Sequence, residues 1–172
     1  MLALVVAKKF YHIPLQKIRN FLKENKSDIA STLNNHELFR YRQNFGKSYY
    51  ELEIEKFIEF FKIDTNVAYA LKTINYFKSE AFLKNIYEQL NFEQYQQEST
   101  KQTYKDIFFT IVWLYQKKRP HECHEFIHAF MLHFFATLKE NTQTHIDYQA
   151  MLKKLVAQNN STLKESFGEK EN

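Results

Sequence analysis

The chain has 172 residues, 44% of them hydrophobic and 17% aromatic, with a net charge of +4 and one cysteine, Cys123. This length can bury roughly 70% of the surface that the unfolded chain exposes, so a core can form without covalent staples. A lone cysteine excludes an internal disulfide and a cysteine-based zinc ribbon, and it predicts a reducing, cytoplasmic setting. Mild basicity suits an anionic partner without requiring one. Two glycines, Gly46 and Gly168, and two prolines, Pro14 and Pro120, are too few for the turns of many strands. The expectation is a mainly α chain: an N-terminal helix-turn-helix with a small β-hairpin wing, followed by a compact multi-helix bundle.

In chain order, MLALVVAKK puts its short apolar run, Leu2 to Ala7, before the lysines, the wrong order for a signal peptide. Leu2 to Phe10 reads as a helix, Tyr11-His12-Ile13 as a tight turn, and Pro14 as the first position of a second helix reaching about Lys26. On that helix Leu15, Ile18 and Leu22 form an apolar stripe with Phe21 at its edge, opposite Gln16, Lys17, Asn20 and Lys23. Ser27 is the expected cap of a third short helix, DIASTL. From Glu37 to Ile54, aromatic and β-branched residues flank Asn44-Phe45-Gly46-Lys47, which predicts a hairpin.

Helical spacing then dominates: Phe57, Ile58 and Phe61; Val67, Leu71, Ile74 and Phe77; Phe82, Ile86, Tyr87 and Leu90. Phe92 to Thr103 reads as an exposed connection. Lys105 to Lys118 is strongly apolar and ends in basic residues, and Pro120 opens a helix running to about Glu140. A last helix is expected over about His145 to Gln158. These divisions give a module over 1–55, a bundle over 56–158 and a flexible polar tail over 159–172. The longest apolar stretch, Ile107 to Tyr115, is about half of a membrane span, so no membrane partner is expected.

The stretch AKKFYHIPLQKIRNFL resembles the helix-turn-helix of MerR-like winged-helix proteins, with Ala7 inside the first helix, Ile13 in the turn and Ile18-Arg19-Asn20 in the recognition helix. The resemblance covers the first third of the chain and implies binding to double-stranded DNA. The residues it assigns to the DNA are Lys8, Lys9, Gln16, Lys17, Arg19, Asn20 and Lys23, with Arg40, Arg42 and Lys47 on the wing. Their chemistry agrees: amides pair with adenine, while Lys and Arg engage guanine or neutralise phosphate. Between residues 8 and 26 the basic residues Lys8, Lys9, Lys17, Arg19, Lys23 and Lys26 face a single acid, Glu24.

RPHECHEFIHAFMLHFF carries two further patterns. His124-Glu125-Phe126-Ile127-His128 fits HExxH, in which two histidines at i and i+4 ligate zinc and the glutamate serves as general base. His133 misses the spacing for a third ligand, and His145, Asp147 or Glu140 would have to serve instead. Without a placed third ligand, no metal and no cofactor are expected, and the histidines read as the polar side of a helix whose other face is Cys123, Phe126, Phe130 and Phe134. Arg119 and His124, in R-x4-H spacing, resemble the motif of HEPN ribonucleases. That resemblance implies phosphate stabilisation by the arginine and proton transfer by the histidine. The favoured expectation is a non-catalytic DNA-binding regulator or accessory factor. The alternatives are a HEPN-like ribonuclease, a zinc hydrolase, or a helical module that binds a protein partner or a second copy of itself.

Overall fold

The computed structural model describes residues 2–61, 63, 66–95 and 103–140, with side chains described from residue 11 to 133 except 36. Among them are seven α-helices: α1 (Leu2–Glu24), α2 (Lys26–Asn34), α3 (His36–Phe60), α4 (Val67–Phe77), α5 (Glu80–Gln89), α6 (Tyr104–Lys118) and α7 (Pro120–Glu140). A short 3-10 turn, Phe92–Tyr95, follows α5. The mainly helical expectation therefore holds, and no strand occurs among the described residues. None of their helices is long and apolar enough to cross a membrane. The expected last helix, the tail, His145 and Asp147 lie outside the described residues.

α6 sits at the centre. Ile107 to Val112, Leu114 and Tyr115 are all buried, so the helix is covered nearly all round, as its unbroken apolar run requires. Its start is fixed by a capping box between Thr103 and Asp106, and it ends in Lys117 and Lys118, where cations suit the helix dipole. α3 packs along one side of α6, α7 along another, and α1 lies on α7. Pro120 opens α7 as expected.

Two expectations for the N-terminal third are corrected. Tyr11 to Ile13 do not form a turn, because α1 runs unbroken through them and through Pro14. The proline removes one backbone bond to the residue four before it. Tyr11, Leu15, Ile18, Phe21 and Leu22 are nevertheless buried on one side of the helix, and that burial holds its course. Tyr11 stacks on His133 at 4.1 Å and meets Phe130 edge-on at 5.0 Å.

The hairpin is also absent, since Glu37 to Ile54 belong to α3. Gly46 serves the packing of helices and not a turn. A β-carbon there would stand 1.8 Å from the carbonyl oxygen of Phe109, so only glycine lets α3 approach α6 this closely. α2 starts at Lys26, one residue before the expected cap Ser27, and Asn25 precedes it without a side-chain cap bond. α3 also crosses residue 55, and the buried side chains of α1 join those of α3, α6 and α7 in one core.

Candidate metal centre

α3 presents Gly46, Tyr50, Glu53 and Phe57 toward the core, residues that share a helix face by their spacing. Three of them suit an apolar contact. Glu53 does not, yet it is wholly buried. A buried carboxylate is tolerated only with partners of matching charge, and the partners come from α7. His124 Nδ1 lies 2.6 Å from Glu53 Oε2, and His128 Nε2 lies 3.0 Å from the same oxygen. One turn apart, the two imidazoles stand with ring centres 4.1 Å apart. Lys56 holds the other oxygen, Nζ to Oε1 at 2.8 Å.

The electrostatics follow. Burial, the largest influence, pushes the Glu53 carboxyl up, but the donors His124, His128 and Lys56 outweigh it and hold the acid well below the usual carboxylate range. Burial pushes His128 down from its usual 6.5 against the pull of Glu53, which favours the neutral imidazole. Tyr49 borders the cluster, its phenol pushed up by burial, then by Cys123 and Glu53. His128 Nε2 is buried, and its close polar neighbour is Glu53 Oε2.

Glu53, His124 and His128 each offer one ligand atom, and the three atoms lie within 4.8 Å of one another. Ligands on a tetrahedral zinc ion, with bonds of about 2.1 Å, stand about 3.4 Å apart. Small side-chain movements would bring these three groups to that spacing. Glu53 and His128 are enclosed, whereas the His124 side chain is 42% exposed, so the cluster opens to solvent on the His124 side.

No family model, curated protein or solved structure matches this chain. The site is therefore read from its own geometry.

The remaining sequence-derived sites disperse. Glu125, expected beside the histidines as general base, turns to α1: its Oε2 is 2.7 Å from Lys17 Nζ, and its Oε1 is 3.5 Å from His121. The carboxylate in the cluster is Glu53 instead. Arg119 and His124 face different helices. The guanidinium lies 2.7 Å from Glu24 and 3.4 Å from Glu122 and over the ring of Phe21, while His124 engages Glu53.

Of the residues assigned to DNA, Gln16, Arg19, Asn20 and Lys23 are exposed on α1, as are Arg40 and Lys47 on α3. Gln16 donates to Asn20 at 3.0 Å, and Arg19 reaches the Gln89 carbonyl at 3.4 Å. Lys17 is occupied by Glu125, and Arg42 lies 4.8 Å over the ring of Trp113. The side chains of Lys8, Lys9 and Glu140 lie outside the described ones.

Glu53 is the member of the cluster that sequence reasoning missed. Its signal is an acid in the apolar stripe Tyr50, Ile54, Phe57, visible only once Glu37 to Ile54 is read as helix. A hairpin reading alternates the faces and hides it.

Proposed function

We propose that this chain binds one divalent transition-metal ion through Glu53, His124 and His128. The observation that carries the reading is a wholly buried carboxylate on α3 facing two histidines one turn apart on α7. Two imidazoles and one carboxylate form a donor set that suits zinc or ferrous iron, and three protein ligands leave a coordination position free for water or a ligand. An ion held there would meet solvent on the His124 side, where the cluster is exposed. With Glu125 turned toward α1, the glutamate of a hydrolytic HExxH helix is not aimed at the ion, and the reading is metal binding without an assigned reaction. Tag-free protein incubated with zinc and desalted should retain about one zinc per chain by elemental analysis. Glu53→Gln and His128→Ala should lose it. A metal-free wild type would make the cluster an ion-pair lock closed by Lys56, and the reading would fall.

A second reading, binding of double-stranded DNA, is supported by the exposed amides and bases of α1. Gln16, Arg19, Asn20 and Lys23 leave one solvent face that offers both base-reading and phosphate-neutralising groups. Fluorescence anisotropy should then show affinity for duplex that falls with salt, with the log–log slope flattened by about 0.9 in Lys23→Ala. Absence of salt-dependent binding at low salt would remove it.

A further inference from the structure

The solvent side of α3 carries an apolar ridge among its charged residues. Leu38, Tyr41, Phe45 and Leu52 are each exposed by 43–57%, and with Ser48 they recur at intervals of three, four, three and four residues. That is the spacing of a coiled-coil seam, set on a helix of 25 residues, or about 37 Å. Along the seam lies a shallow open hollow lined by Tyr41, Asn44, Phe45 and Ser48. Residues at i, i+3, i+4 and i+7 are the four that frame a hole for one side-chain knob from a facing helix. The rings of Tyr41 and Phe45, 4.9 Å apart, form one wall.

Charge selects the facing helix. The N-terminal half of α3 carries Arg40, Arg42 and Lys47 against Glu37, and the C-terminal half carries Glu51, Glu55 and Glu59 against Lys56, leaving aside the buried Glu53. Arg40, Lys47, Glu55 and Glu59 make no ion pair among the described residues. This polarity is the reverse of what the helix dipole favours, with bases toward its positive end and acids toward its negative end. A second α3 lying antiparallel places basic half on acidic half and opposes the two dipoles. A parallel copy would set like on like.

We infer that the α3 ridge is the interface of a two-fold antiparallel dimer of this chain. With the axis between Phe45 and Ser48, Tyr41 of each copy meets Leu52 of the other, and Phe45 enters the hollow beside Ser48. A self-complementary patch of this kind is what a two-fold interface requires. The inference does not rest on the metal reading: Glu53 is buried, about 100° around the helix from the seam.

Sedimentation and light scattering of the full chain at micromolar concentration should give twice the monomer mass. Phe45→Glu and Leu52→Glu, both at exposed positions, should give monomers with unchanged helical circular dichroism. A monomeric wild type, or a Phe45→Glu variant that remains dimeric, overturns the inference. Orientation is read from spin labels on Ser48→Cys and Glu59→Cys, with the buried Cys123 left unlabelled. Antiparallel pairing predicts a short distance at Ser48 and Glu59 positions about 37 Å apart along the helix axis. Equally short distances at both sites would mean parallel pairing and would contradict it.

Discussion

α3 and α6 lie against each other more extensively than any other pair of described helices, yet they are built on opposite plans. α6 is apolar on nearly every side and is filled by large side chains: Phe108 meets Tyr50 edge-on at 5.5 Å, and Tyr115 packs on Phe21 at 4.4 Å. α3 gives up volume at Gly46, puts a carboxylate into the core at Glu53, and leaves Tyr41 and Phe45 in solvent. The difference separates scaffold from site. α6 does what its composition says, whereas on α3 Gly46 gives way to the Phe109 backbone and Glu53 meets His124, His128 and Lys56.

The contrast breaks first on volume, and in opposite directions. Phe108→Ala should cost about 3–5 kcal/mol, because a fully buried ring leaves a cavity that its neighbours cannot fill. On α3 the damage comes from adding atoms. Gly46→Ala should cost about 1–3 kcal/mol, since its new methyl meets the Phe109 carbonyl and forces the helices apart. Urea titration of both variants measures the pair, and a neutral Gly46→Ala would show that the close approach is dispensable.

Acid should act on the charged core of α3. Glu53 has a folded pKa depressed below its usual 4.5, so its stabilisation is present above about that pH and is lost as pH falls toward the folded value. His128 is likewise depressed below 6.5, so its contribution is present above 6.5 and is lost as pH falls toward its folded value. Both slopes have the same sign. Urea midpoints should therefore fall between pH 7 and about pH 3, and Glu53→Gln should flatten the part below about pH 4.5. An identical profile in the variant would detach Glu53 from the acid response.

The smallest effect sharpens the scaffold side. Thr103→Ala removes one half of the α6 capping box and should cost about 1 kcal/mol, read from the same titrations. A larger loss would show that the start of α6 depends on more than its cap.

The sequence made this division partly legible. Phe82, Ile86, Tyr87 and Leu90 recur at helical spacing, and all four are buried on and just beyond α5. α4 runs where its periodicity places it, and Phe77 of the expected stripe is buried, although Val67 and Leu71 are exposed and Ala70 and Thr73 are buried in their stead. The N-terminal third was misread because glycine and proline usually break structure. Here Pro14 sits within a helix held by Leu15, Ile18 and Phe21, and Gly46 sits where a neighbour's backbone comes close, which depends on tertiary contact. HExxH did mark two of the three residues in the cluster. The third is 71 residues upstream of His124 and is joined to it only by the packing of α3 on α7.

The most direct test is a zinc titration by chelator competition on wild type, Glu53→Gln and Glu125→Gln. If Glu53 completes the cluster, Glu53→Gln should weaken zinc binding by about tenfold or more. Glu125→Gln, which breaks a partly buried pair with Lys17, should bind as wild type does. Loss of zinc in Glu125→Gln with retention in Glu53→Gln would contradict the account.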